Sequence, residues 1–89
     1  MSLSKPAHES ALLAALNRAF ITAKRDCRAS PNTARDGGII IDYMAHIRGV
    51  WIWNGDAFAF TRGGYVEASI TVATIDDAVR YTLDHVCRA

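Results

Sequence analysis

An Asn-Gly pair between two aromatic runs constrains the fold of this chain more than any other feature. The pair is Asn54-Gly55, and four aromatic side chains flank it: Trp51, Trp53, Phe58 and Phe60. Asn-Gly between alternating apolar residues is the strongest short-range signal for a β-hairpin, because both residues accept the positive φ of a two-residue turn. We therefore predict paired strands over residues 50–53 and 57–61.

The predicted turn also determines which residues share a face of the hairpin. A two-residue turn sets residue 53 opposite 56, 51 opposite 58 and 49 opposite 60. Since side chains alternate between faces, one face carries both Trp and both Phe. The other face carries smaller apolar residues: Val50, Ile52, Ala57 and Ala59. We expect helices to cover one face, and the rest of the chain or a partner to cover the other.

Segments with helical periodicity lie on both sides of the hairpin in the sequence. Over residues 6–29 apolar residues recur at spacings of three and four, which predicts an amphipathic helix. Ser4 is a suitable N-cap for this helix, and Ser30-Pro31 is expected to end it. Thr74-Ile75-Asp76-Asp77 resembles a capping box and predicts the start of a second helix.

Two further segments complete the predicted elements. Residues 65–72 alternate apolar and polar side chains, which predicts a half-buried strand. Residues 39–48 fit two structures. The β-branched run Ile39-Ile40-Ile41 favours a strand. A helix that ends at Gly49 as its C-cap would also place the apolar residues of this segment on one face.

These elements predict a single α+β domain over residues 1–89. Short connections between the strands imply an antiparallel β-meander of three to four strands. We expect the N-terminal and the C-terminal helix to pack on one face of this sheet, as a two-layer sandwich.

The residues that commonly carry catalysis or bind metals show no suitable spacing. The three histidines do not share a helix face with one another or with a cysteine at a metal-ligand spacing, and the chain has no nucleophile elbow or phosphate-binding glycine loop. We predict a protein that is not an enzyme and uses no cofactor and no metal.

The two cysteines, Cys27 and Cys87, are too few for a disulfide framework. Each lies near the end of a predicted helix and is expected to be a buried free thiol. A bridge between them requires the two helix ends to meet.

Aromatic residues and arginine are enriched at interaction hot spots, and this composition predicts a partner-binding role. The candidate residues are Trp51, Trp53, Phe58, Phe60, Arg25, Arg28 and Arg35. An alternative is that the aromatic face is the core, which leaves the face of Val50 and Ile52 exposed. The expected partner is another protein or a ribonucleoprotein complex, or a second copy of the chain in a homodimer.

Nucleic-acid binding is a second functional hypothesis. The predicted element order resembles that of the double-stranded-RNA-binding domain, a family that contacts phosphates through lysines at the start of its final helix. Here Asp76 and Asp77 occupy that position, so the resemblance is limited to element order. The basic end of the first helix, with Lys24, Arg25, Arg28 and Arg35, is the alternative footprint.

The segment Val50–Phe60, followed by Thr74-Ile75-Asp76-Asp77-Ala78, resembles a pattern found in small proteins of phages and mobile elements. In these proteins a tight hairpin precedes a short helix that opens with Ser/Thr-x-x-Asp/Glu-Ala. Anti-CRISPR proteins are one functional group among them. The resemblance covers about a third of the chain and implies a small non-catalytic inhibitor or adaptor. It assigns no target and no binding residue.

The expected location follows from two further patterns. No apolar run approaches the ~20 residues of a membrane span. The apolar stretch Ala11–Leu16 is interrupted by Asn17 and Arg18, which argues against a secretion signal. We expect a cytoplasmic protein that does not contact membranes.

Overall fold

The computed structural model describes residues 4–33, 37–63 and 69–87. The elements follow one another as α1 (Lys5–Thr22), β1 (Cys27–Pro31), β2 (Ile39–Tyr43), β3 (His46–Trp53), β4 (Phe58–Arg62), β5 (Ile70–Val72) and α2 (Ile75–Tyr81), which continues as a π-helical turn over Thr82–Val86. The strands form one antiparallel sheet in the order β1-β2-β3-β4-β5. The predicted α+β class is therefore confirmed, with five strands in place of three to four.

The first helix ends at Thr22, which is earlier than the predicted end at residue 29. Lys24 adopts a left-handed backbone with φ 55°. The N–H of Lys24 donates to the Ile21 carbonyl at 3.2 Å, and the N–H of Arg25 donates to the Phe20 carbonyl at 2.9 Å. This pair of bonds is a Schellman motif, which satisfies the last carbonyls of a helix and turns the chain away. The residues that follow are thereby released to form β1.

Asn17 of α1 explains why β1 is stable at the edge of the sheet. Its Oδ1 accepts from the Ala29 N–H at 3.1 Å, and its Nδ2 donates to the Ala29 carbonyl at 3.0 Å. The amide group thus occupies both backbone groups that Ala29 presents on the side away from β2. An edge strand normally leaves such groups unpaired, so the amide takes the place of a further strand.

Residues 39–48 form two strands and the turn between them, which excludes the helical alternative. Tyr43 pairs with His46, and the turn residues Met44 and Ala45 both have positive φ, at 53° and 67°. Gly49 lies inside β3 and caps no helix. A Cβ atom at this position would come within 2.5 Å of the Phe60 ring, so only glycine allows this ring to pack against the strand.

The predicted hairpin is present, but its register differs by two residues. Trp53 pairs with Phe58, and Trp51 pairs with Phe60. The connection has four residues because the Asn54 Oδ1 accepts from the backbone N–H groups of Asp56 and Ala57, each at 2.9 Å. A shift of two residues preserves the alternation of side chains, so the predicted composition of the two faces is correct.

The C-terminal third of the chain agrees with part of the prediction. Within the predicted strand 65–72 the structure shows β5 at Ile70–Val72, and residues 65–68 lie outside the described part of the chain. Thr74 is the N-cap of α2, where its hydroxyl accepts from the Asp77 N–H at 3.1 Å. This bond confirms the helix start that the capping pattern predicts.

Both helices pack on the aromatic face of the sheet, and Trp51 lies at the centre of this contact. Its indole is 0% exposed and lies beside Phe60 and Tyr81, with ring centroids 5.0 and 6.0 Å away. The indole Nε1–H donates to the Thr82 Oγ1 at 2.9 Å, and the Thr82 hydroxyl donates to the Ala78 carbonyl at 2.7 Å. The aromatic face is thus the core.

Within the described part of the chain, no helix combines the length and apolar character that crossing a bilayer requires.

The Trp51–Thr82 bond gives a first prediction. Thr82→Val keeps the shape of the side chain but leaves the buried indole N–H unpaired, so we expect the free energy of unfolding to fall by about 1–3 kcal/mol. Thr82→Ser is the matched control, because it retains the hydroxyl and loses one methyl group, at a cost of about 1 kcal/mol. Urea titration followed by tryptophan fluorescence measures both values. A Thr82→Val variant as stable as the wild type would contradict the role of this bond.

Candidate docking face of the sheet

Three of the four predicted aromatic binding residues belong to the core. Trp51 and Phe60 are 0% exposed and Phe58 is 2% exposed, beneath the two helices. A partner cannot reach these side chains in the folded chain. The prediction that these three residues bind a partner is therefore corrected. The helices cover this face because it has the larger apolar area, and burial of that area stabilises the fold more.

Trp53 lies at the margin of the core and is half-buried. Its indole stacks on the His8 imidazole, with ring centroids 3.8 Å apart and planes inclined by 15°. The Phe58 ring meets it edge-on at 4.8 Å. The aromatic side of the hairpin end is therefore occupied by α1, which leaves Trp53 only a part of its surface for any partner.

Glu9 fixes the start of α1 to this end of the hairpin. Its carboxylate accepts from the Trp53 N–H at 2.9 Å and from the Gly38 N–H at 3.1 Å, and it forms an ion pair with Lys5 at 3.2 Å. Gly38 has φ +97°, and a Cβ atom there would lie 2.7 Å from the Trp51 carbonyl oxygen. Glycine is thus required where the chain enters β2, and the Glu9 carboxylate holds that entry in place.

The predicted arginines do not form one cluster with the aromatic residues. Arg25 is exposed and donates through Nη1 to the Cys87 carbonyl at 3.4 Å. Arg28 alternates with the buried Ala29 in β1, so it lies on the sheet face opposite the helices. Arg35 lies outside the described residues. Of the predicted set, Arg28 is the residue that the structure places on the uncovered face.

The uncovered face has an apolar centre. Ile40 pairs with Val50, and Val50 pairs with Thr61; on the neighbouring position Ile52 pairs with Ala59. These side chains are half-buried, and no helix of the described residues packs on them. This is the smaller of the two apolar faces that the hairpin pattern predicts, except that Ala57 belongs to the turn and not to a strand.

One end of this face presents two large exposed apolar side chains. Ile47 is 63% exposed and Met44 is 57% exposed. Ile47 stands opposite Asp42, which in turn stands opposite Arg28, so this end combines apolar side chains with charges of both signs. We call the whole surface the open face: Arg28, Ile40, Asp42, Met44, Ile47, Val50, Ile52, Ala59 and Thr61.

Sequence reasoning missed Met44 and Ile47. Ile47 is exposed because its position in β3, opposite Asp42, lies on the uncovered face. Met44 is exposed because Met44-Ala45 forms a two-residue turn with positive φ, a conformation that usually requires Asn or Gly. The sequence contains no such signal between the two strands. The charged residues Asp42 and Arg48, which flank this segment in the sequence, were the available hint that part of it is exposed.

The open face offers apolar side chains together with one arginine and one aspartate that stand opposite each other. Within the described ranges, no group of three or more His, Cys, Asp or Glu side chains is arranged to hold a metal ion. No protein-family model, curated protein or solved structure matches this chain.

The Glu9 contacts give a second prediction. Glu9→Ala removes the acceptor of two backbone N–H groups, and we expect the free energy of unfolding to fall by about 2 kcal/mol or more. Lys5→Ala removes the ion pair but leaves the carboxylate and its two backbone contacts, and it is expected to cost less than about 1 kcal/mol, because the Lys5 side chain is 41% exposed. Thermal unfolding followed by circular dichroism compares the two. Equal losses for both variants would show that the ion pair, and not the backbone contacts, carries the effect.

Proposed function

We propose that this chain is a small non-catalytic binding protein that docks onto another protein through the open face. The observation that carries the proposal is the pair of exposed side chains Met44 and Ile47 beside an apolar sheet face on which no helix of the described ranges packs. Contiguous apolar surface rimmed by polar groups is typical of interaction sites. Methionine suits such a role because its flexible thioether adapts to the shape of a partner.

The backbone of the turn supports the same proposal. Met44 and Ala45 both lie in the left-handed region, which costs a residue with a side chain about 1 kcal/mol or more. An Asn-Gly turn would relieve this cost and would lose the exposed thioether. The methionine thus exposes its thioether at the cost of an unfavourable turn conformation, and this supports a role for the side chain in binding.

The charges at this end favour a protein partner over a nucleic acid. Arg28 stands directly opposite Asp42, and Asp26 lines the same groove as Arg28. Nucleic-acid binding requires a surface that is positive throughout, because the phosphates repel carboxylates. A protein surface carries both signs and can pair with each of them.

The resemblance to small proteins of phages and mobile elements suggests a more specific role, namely inhibition of a protein or ribonucleoprotein complex. A non-catalytic domain of this size inhibits by occupying a surface that its target needs. The open face is the surface that this role would use, and a homodimer formed through the same face is the competing occupant.

A third prediction tests the open face directly. Ile47→Asp places a charge at the centre of the proposed contact, so we expect recovery of the partner to fall about tenfold or more. Ile21→Asp is the matched control, because Ile21 is 78% exposed but lies on α1, in the helix layer. The measurement is affinity capture on the immobilised chain from cells that naturally make it, quantified by mass spectrometry.

Three outcomes of this experiment would contradict the proposal. One is equal recovery of all proteins by wild type and Ile47→Asp. Another is recovery that falls steeply between low and moderate salt and disappears after nuclease treatment, which indicates phosphate binding. The third is a change from dimer to monomer on Ile47→Asp in sedimentation velocity, with no protein recovered specifically, which indicates that a second copy covers the face.

A fourth prediction separates stability from binding at the turn. Ala45→Gly relieves the positive φ and keeps Met44, so we expect a higher Tm, by about 4 °C, with partner recovery unchanged. Met44→Asn combined with Ala45→Gly creates the favoured turn sequence and removes the thioether. We expect this double variant to be at least as stable as Ala45→Gly and to recover about tenfold less partner. Full recovery by the double variant would remove Met44 from the site.

A further inference from the structure

The two cysteines, which lie far apart in the sequence, meet at one end of the domain. Cys27 is the first residue of β1 and is half-buried, whereas Cys87 follows the π-helical turn and is 0% exposed. Both are free thiols, and they lie close enough for each to influence the pKa of the other. The contact arises because the early end of α1 places Cys27 on a strand beneath the C-terminal end of the last helix.

The backbone around Cys87 is held from two sides. The Cys87 N–H donates to the Thr82 carbonyl at 2.9 Å. The Cys87 carbonyl accepts from the Arg25 Nη1 at 3.4 Å, and Arg25 precedes β1 by two residues. The segment that carries one thiol is thus tied to the segment that carries the other, which limits their separation.

We propose that Cys27 and Cys87 are a thiol pair that reacts with low-molecular-weight disulfides and closes to an internal disulfide. Cys27 is the entry thiol because it lines an open groove of about 590 Å³, together with Asp26, Arg28, Asp42, Met44 and Ala45. Cys27 is also the more exposed of the two residues, so a small disulfide meets it first. Cys87 is inaccessible from solvent, so it reacts only with the Cys27 sulfur, once that sulfur carries one half of the small disulfide.

The reaction has two thiol–disulfide exchange steps. In the first, the Cys27 thiolate attacks one sulfur of the small disulfide, whose S–S bond breaks and releases one thiolate. In the second, the Cys87 thiolate attacks the Cys27 sulfur and releases the other half. The protons of Cys27 and Cys87 end on the two released thiols. The protein pair is oxidised by two electrons, and the small disulfide is reduced to two thiols.

Burial and the nearby charged residues have opposite effects on the ionisation of the two thiols. Burial raises the pKa of both thiols, most strongly that of Cys87, and therefore disfavours the reactive thiolates. The Arg25 guanidinium acts in the opposite direction at both sulfurs, and Arg48 does so at Cys87, whereas Asp26 opposes ionisation of Cys27. The product carries no charge, so burial that slows the reaction does not penalise the disulfide.

The bond would join the start of β1 to the segment that follows the π-helical turn, and it would close a loop that contains all five strands. A cross-link across a loop of this length constrains the unfolded chain strongly. We expect the oxidised protein to melt on the order of 10 °C above the reduced protein.

The experiment treats the reduced full chain with oxidised glutathione and follows it by intact-mass and peptide mass spectrometry. For the wild type we expect loss of two hydrogen atoms, no retained glutathione, and a peptide that links Cys27 to Cys87. Cys87→Ala should keep one glutathione on Cys27, because no second thiol displaces it. Cys27→Ala should take up none, since Cys87 is buried.

Three results would overturn the proposal: a wild type that retains a glutathione adduct, one that stays fully reduced, or one that forms only bonds between chains. The wild-type peptide map decides among these by itself, so the proposal stays testable if a variant fails to fold. A rise in Tm that dithiothreitol reverses in the wild type, and that is absent from both variants, provides the independent readout.

Discussion

Two helices, one of 18 residues and one of 7, lie on one side of a five-stranded sheet, and most properties of the molecule depend on this one-sided arrangement. An α+β layer pair buries one face of the sheet and leaves the other to water unless something else covers it. The helices pack on the face with the tryptophans and phenylalanines because that face removes the most apolar surface from water. What remains outside is a flatter surface of isoleucine, valine, alanine and threonine.

The contact between the helices and the sheet is apolar, and one hydrogen bond within it fixes how the C-terminal helix is positioned. The apolar ring of Trp51 needs only apolar neighbours, but its buried N–H requires a hydrogen-bond acceptor. Thr82 provides one at the point where α2 widens into a π-helical turn, and the same hydroxyl donates to the Ala78 carbonyl. Within the described residues, no buried side-chain nitrogen or oxygen atom is left without a partner. This bond sets the position of the C-terminal helix on the sheet, and with it the position of Cys87.

The hairpin and both helix starts could be predicted from the sequence because each depends on a local signal. Alternation with a period of two assigned the hairpin faces correctly, and this assignment survived a register shift of two residues. The first strand could not be predicted. It depends on the left-handed backbone of Lys24, where glycine or asparagine is usual, and on a side-chain contact between Asn17 and Ala29. Residues that read as the last turns of a helix therefore form an edge strand.

The candidate site was predictable in kind but not in position. The sequence indicated that the helices leave one apolar face of the sheet uncovered. The packing of the helices determines which of the two faces this is. The turn at Met44 had no signature, because its residue types are unusual for its backbone. The meeting of the thiols could be stated only as a condition on the two helix ends, since it depends on the same early end of α1.

The meander of strands has a consequence for how the chain reaches this structure. Every strand pairs with its neighbour in sequence, so the sheet is assembled from local contacts whose closure costs little entropy. Contacts of long sequence separation join the two helices to the sheet, Glu9 to Trp53 and Trp51 to Thr82. A further contact joins Arg25, just before β1, to Cys87. A chain shortened at either end would therefore lose the contacts that hold the helix layer on the sheet.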